Sequence, residues 1–238
     1  MDKASVVYTE DALFAPAPLW RSFQMCTKQP LASALDHLQL VGETLNDKGE
    51  PHPFAEATLI CTAITTASYS LWMLHDDATE RRHRALQFNF KDCEGWGGFC
   101  RSDRHDPDAT DDDRTRADDV ITEARRRKDW IVDQANTLTG ASHTFGQFKD
   151  SLPRDVEIIE EAAGIHVLTA WRFLSGYSHG LPWATLGNQV PASGTPQPDA
   201  QMVTVTQKGN PTQLLKAAFL TLEVIEKATA QFRKLCAA

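Results

Sequence analysis

Residues 54 to 74 read FAEATLICTAITTASYSLWML, and whether this stretch crosses a bilayer or fills a core decides what kind of protein the chain encodes. Its length is close to the roughly 20 apolar residues that a membrane span needs. It nevertheless carries Glu56 and is crowded with Thr and Ser rather than Leu and Ile, a composition that partitions poorly into lipid. Leu59, Ala63, Thr66 and Ser70 share one side at helical spacing, and their mostly small side chains let a neighbouring helix approach closely. The stretch therefore predicts a buried helix from Phe54 to about His75 at the centre of a helical bundle, with no membrane partner.

Upstream, Leu31, Leu35, Leu38, Val41 and Leu45 recur at three-and-four spacing and predict a helix over 31–45, preceded by an irregular arm over 1–20. The segment NDKGEPHP separates the two helices with one glycine and two prolines. Downstream, Asp76 and Asp77 are placed to bend the chain or cap the next helix, ERRHRALQFNFK, whose basic face holds Arg81, Arg84 and Lys91. Residues 93–113 combine glycines, a proline and a dense acidic run and predict a long exposed loop. A further helix is expected from about Arg114 to Leu138, its Asp-rich entry suiting the positive end of the helix dipole. The block Arg125 to Lys128 adds a cationic patch.

Another helix is predicted from Pro153, capped by Ser151, and running on through EIIEEAAGIHVLTAWRFLSGYSH until Gly180 and Pro182 stop it. Residues 186–210 read as a loop or short hairpin, and a last helix from Pro211 to Cys236 places Leu214, Leu215, Ala218, Leu222, Ile225 and Phe232 near one face. The sum is an all-α single domain over 1–238 with about five or six helices, long loops and at most one short β-hairpin.

The net charge of −8 argues against general wrapping of nucleic acid but leaves room for a local basic face. Five scattered cysteines and the lack of a secretory pattern at the start predict reduced thiols and a cytoplasmic location. Two metal readings are weak. His75-Asp76, with His37 or His52 and Asp133, has the residue types of an HD-type metal phosphohydrolase, and Cys93, Cys100 and His105 are three of the four ligands a zinc site would need. The His-Asp dipeptide recurs at His105-Asp106, about as often as composition predicts, and the cysteine set has no fourth ligand, so no metal and no cofactor are expected.

In WRFLSGYSHGLPW, residues 171–183, Arg172 and His179 lie seven positions apart. Seven steps of a helix bring two side chains within roughly 20° of one face, with Cα atoms roughly 10 Å apart along the axis. Glu161, Ile165, Leu168 and Ser175 are expected on the same stripe, and Ala162, Thr169, Phe173 and Gly176 on a neighbouring, inward face. One reading is structural, with His179 meeting the helix dipole and Arg172 bonding Glu161. The other is chemical: a histidine near neutrality moves protons while an arginine holds a phosphate. Ser175, Tyr177 and Trp183 are the candidate substrate-binding neighbours, the aromatics being suited to stack a base or, as is commoner at these spacings, to fill the core.

An arginine followed by six residues and a histidine resembles the R-x4-6-H signature of HEPN domains, helical bundles frequent in prokaryotic toxins and phage-defence systems. Together with TLICTAITTASYSLWMLHDDATERRHRALQ, it is similar to a mainly actinobacterial group of HEPN-like proteins. The resemblance implies a homodimer that cleaves RNA without metal at its interface, with Arg172 and His179 as catalytic residues and an antitoxin or defence protein as partner. A non-catalytic HEPN-like binding or scaffold domain is the alternative.

Overall fold

The computed structural model describes residues 5–14, 22–46, 52–185, 189–191, 205–207 and 211–237. The chain is all-α, with ten helices among the described residues. Gln189–Pro191 (β1) and Val205–Gln207 (β2) pair antiparallel, Val190 opposite Thr206, which gives the expected short hairpin its two strands. The rest of the 186–210 connection lies outside the described residues. No helix among them is long and apolar enough to cross a membrane.

The chain divides into two compact units, each assembled from segments distant in sequence. Unit 1 comprises residues 1–28, 72–154 and 231–238. It corrects the sequence reading in three places. The arm over 1–20 contains a helix, Val6–Phe14 (α1), whose Val7 is fully buried; residues 1–4 and 15–20 lie outside the described set. The helix after Asp77 runs on through the expected loop to Arg104 (α4, Ala78–Arg104), and the next begins at Asp111 (α5, Asp111–Thr139). Only residues 105–110 connect them, because Cys93, Gly97 and Cys100 are buried and hold the glycine-containing segment in register against α5. At its start, Thr110 accepts from the Asp113 amide while Asp113 accepts from the Thr110 amide, a reciprocal cap that turns the acidic run into a helix entry. Finally, Ser151 caps the C-terminus of a short helix, Phe145–Asp150 (α6), rather than the N-terminus of the one that follows.

Of the basic face expected on α4, Arg81 and Arg84 are buried in a structural assembly, while Lys91 is half-buried. Arg81 donates to Glu10 at 2.8 Å and to the carbonyls of His75 and Asp76 at 2.7 and 3.0 Å, while Arg82 donates to the other Glu10 oxygen at 2.7 Å. Arg84 donates to the Trp72 carbonyl and lies over its ring. Asp77 caps α4 by accepting from the Glu80 amide at 2.9 Å, as its sequence position suggests.

Unit 2 comprises residues 29–71 and 155–230. Its centre is Pro53–Met73 (α3), where Ala57, Ile60, Ala63, Ile64 and Ala67 are fully buried. The threonines that make this helix look unlike a membrane span donate their hydroxyls to carbonyls one turn back, Thr58, Thr62, Thr65 and Thr66 all at 2.8–2.9 Å, so they are satisfied within the helix. Helix α2 spans Phe23–Asn46, eight residues longer at its start than the periodicity implies, with Pro30 inside it. The C-terminal helix, Pro211–Ala237 (α10), buries Leu214, Ala217, Thr221, Val224 and Ala228. Leu215 and Leu222, expected on the buried face, instead form an exposed line with Phe219.

Candidate functional site

The helix expected to run unbroken from Pro153 is two helices, Asp155–Ala163 (α7) and Ile165–Ser178 (α8), separated at Gly164. There φ is +89°, a conformation open chiefly to glycine, and no side chain caps the new helix. Glu161 therefore belongs to α7 and leaves the regular stripe that carries Arg172. No ion pair among the described residues engages the Arg172 guanidinium, which removes the expected contact to Glu161.

The far end of α8 is fixed by its backbone. His179 is the C-cap, Gly180 follows at φ +64°, its amide donates to the Tyr177 carbonyl at 2.9 Å, and the Leu181 amide donates to Gly176 at 2.9 Å. This is a Schellman ending, and it confirms Gly180 as the stop. A one-turn helix, Pro182–Thr185 (α9), then folds Trp183 back over Gly176. A Cβ on Gly176 would lie inside the indole and 3.0 Å from the Ala184 Cβ, so the absence of a side chain there creates the seat for Trp183.

The structure sorts the sequence-nominated residues sharply. Arg172 and His179 are exposed, Ser175 is half-buried, and Trp183 keeps 58 % of its surface open. Tyr177 belongs to the core, 3 % exposed, with its ring against Phe54 and Phe173 at centroid distances of 5.7 and 5.3 Å. The two faces are also redistributed: Leu168, expected on one stripe with the exposed Arg172, is buried, while Thr169 on the expected inward face is exposed. The outward side of α8 thus presents Ile165, Thr169 and Arg172, with His179, Leu181 and Trp183 at its end.

Sequence reasoning missed a groove of about 350 Å³ beside this face, lined by Thr169, Ala170 and Phe173 of α8 and Lys216, Ala217 and Leu220 of α10. Only the pairing of α8 with α10 creates it, and no local pattern announces that pairing. Trp171 Nε1 donates to Thr65 at 2.9 Å and the Tyr69 hydroxyl to Asp155 at 2.7 Å, fastening α8 and α7 to α3. Burial, reinforced by that hydrogen bond to Asp155, pushes the Tyr69 phenol up, so it is a structural donor.

The metal readings find no geometry. No three His, Cys, Asp or Glu side chains converge among the described residues. Asp76 accepts from Lys234 and Gln231, both at 2.6 Å, and those bonds hold its carboxyl below the ordinary value. Cys93 and Cys100 are buried within α4, whereas His105 is its exposed C-cap. Burial raises the Cys61 thiol to about 11, and no disulfide forms among the described residues.

No family model matches this chain, and no curated protein or solved structure matches it either. What stands is the class that the fold and the site define: an all-α protein with an open arginine-histidine face on a tightly terminated helix.

Proposed function

We propose that the outward face of α8 is an RNA-cleaving site of the HEPN type, working without metal in a cytoplasmic homodimer. The observation that carries this reading is the exposure of Arg172 on the outward side of α8 and of His179 at its C-cap, with no ion pair among the described residues engaging the guanidinium. An arginine that no carboxylate among the described residues engages is available to a phosphodiester. In this reading Arg172 pairs with the non-bridging oxygens and stabilises the charge that builds on them. His179 takes the proton of the ribose 2′-hydroxyl as its oxygen attacks phosphorus, and the P–O5′ bond breaks. The leaving oxygen takes a proton from the second copy's histidine. The products are a 2′,3′-cyclic phosphate and a 5′-hydroxyl, and DNA is not cut because it lacks the nucleophile. Trp183, held over Gly176 with its other surface open, is the stacking platform for a neighbouring base.

The test is incubation of varied RNAs in chelator with wild type, Arg172→Ala and His179→Ala. Cleavage by wild type alone is the expected outcome; RNA left intact by all three overturns the reading.

One observation favours a second reading, a non-catalytic binding domain. Ile165, Leu181 and Trp183 beside the pair are 54 %, 42 % and 58 % exposed, and apolar surface of that kind suits a protein partner. In the toxin or phage-defence setting that the HEPN resemblance implies, an antitoxin or defence protein would cover it.

A further inference from the structure

Unit 1 holds a second opening, a cleft of about 400 Å³ between α4 and α5 that is closed at one side by Phe145 of α6. Its lining is unusual for a chain of net charge −8, because Arg101, Arg125 and Lys128 all face it and Asp129 is the single carboxylate among them. The arginines nearby show why this matters. On α4 and α5, Arg104 pairs with Asp118, Arg114 with Asp111, Arg116 with Asp113, and Arg126 and Arg127 with Glu123. Arg81 and Arg82 share Glu10, and Arg84 meets Glu80. Among the described residues, the two arginines of these helices that no carboxylate engages are Arg101 and Arg125, and both line the cleft.

The cleft is built rather than incidental. Gly97 and Gly98 leave a bare strip of helix across which the Arg101 guanidinium folds back: a Cβ at Gly97 would lie 3.5 Å from its Nη1, and one at Gly98 3.7 Å from its Nη2. Lys128 is 8 % exposed, bonded to Glu94, with its ammonium 5.0 Å from the centre of the Phe145 ring. Glu94 is also held by Lys149 at 3.0 Å, so that carboxylate is already engaged and does not neutralise the arginines. Burial alone would raise the Glu94 carboxyl, yet the bonds from Lys128 and Lys149 outweigh it and keep it below the ordinary value. Ile121, Ala124 and the Phe145 ring supply the apolar part of the same lining.

Two guanidinium forks beside a buried ammonium match a tetrahedral dianion, because each fork offers paired donors to two oxygens of one group. A free phosphate leaves the apolar lining unused, and the cavity falls in the size range of small-molecule sites. The geometry points to a site for a small phosphomonoester, its phosphate between Arg101 and Arg125 and its uncharged remainder on Ile121, Ala124 and Phe145. The site lies within unit 1 and does not rest on the reading of α8.

Isothermal titration calorimetry with phenyl phosphate, inorganic phosphate and benzoate tests it, with thermal unfolding to verify that each variant is folded. Phenyl phosphate is expected to bind saturably and more tightly than either of the others. Arg101→Gln and Arg125→Gln each weaken it about tenfold, the usual cost of losing a charge-assisted hydrogen bond. Asp129→Asn tightens it by about two- to fivefold by removing a like charge, an effect that a purely structural aspartate would not show. Arg116→Gln, on the same helix but paired with Asp113, leaves affinity unchanged. Absence of saturable binding at millimolar phenyl phosphate, equal affinity for benzoate, or unchanged affinity in both arginine variants overturns the assignment.

Discussion

Arg81 and Arg172 are arginines on helices of the same chain, and they meet opposite fates. Arg81 is 3 % exposed, bonded to Glu10 and to two backbone carbonyls at the entry to α4. Arg172 is exposed, with no ion pair to any described residue. The basic cluster that looks richer in the sequence, Arg81 to Arg84, is the one consumed by structure; the isolated arginine is the one left open. Local charge density is thus a poor guide to exposure at Arg81, because the counter-charge that holds it comes from far along the chain. Glu10 precedes Arg81 by 71 residues.

The sharpest way to break this comparison is to remove the counter-charge. Glu10→Ala leaves Arg81 buried and Arg82 without its partner, and is expected to destabilise the protein by about 3–5 kcal/mol, the range for breaking a buried ion pair from one side. Urea unfolding measures it, and a loss under 1 kcal/mol would mean that the α4 cluster is no more structural than Arg172. Next in size is the helix end that presents His179. Gly180 sits at φ +64°, so Gly180→Ala is expected to cost about 1–2 kcal/mol, since a Cβ disfavours the left-handed region. A shift in the Trp183 emission should accompany it, because Gly180 sets the turn that folds the indole over Gly176.

The smallest effect concerns two arginines that find their partner one turn away on the same helix. A hydrogen bond from Arg126, joined by one from Arg127, lowers the Glu123 carboxyl from 4.5 to about 2. A carboxyl depressed in the folded state contributes stability that is complete above its ordinary value and is lost as pH falls through the folded one. Arg126→Gln with Arg127→Gln should therefore lower stability slightly at neutral pH and flatten the acid limb between pH 4.5 and about 2 in a pH-melting series. An unaltered acid limb would show that the pair is screened away.

Which parts were legible in the sequence follows from the same distinction between local and distant causes. The α3 core helix, the Asp77 cap and the Gly180 stop all rest on interactions within a few residues, and each is where the sequence pattern puts it. The acidic segment before α5 reads as loop because Asp is a poor helix former, yet three aspartates in the first turn behind a Thr110 cap suit a helix start. Gly97 reads as a breaker until α5 is beside it, with Ala124 close enough to meet a Cβ at 3.5 Å. Gly164 misleads in the other direction, since nothing in EEAAGIHVL shows that φ turns positive there. At the site, the seven-residue spacing of Arg172 and His179 was legible, but whether their stripe met solvent, a partner or the core was not. Nor were the partners of the buried Tyr177, because Phe54 comes from a distant helix.

The central claim is that the open face of α8 is chemical and not just unpaired. Its most direct test is the rate at which 2′,3′-cyclic phosphate ends form on RNA in chelator, measured for wild type and His179→Ala at matched folding stability. Removing a general base should lower that rate at least about 100-fold. Equal rates in the two proteins would contradict the account.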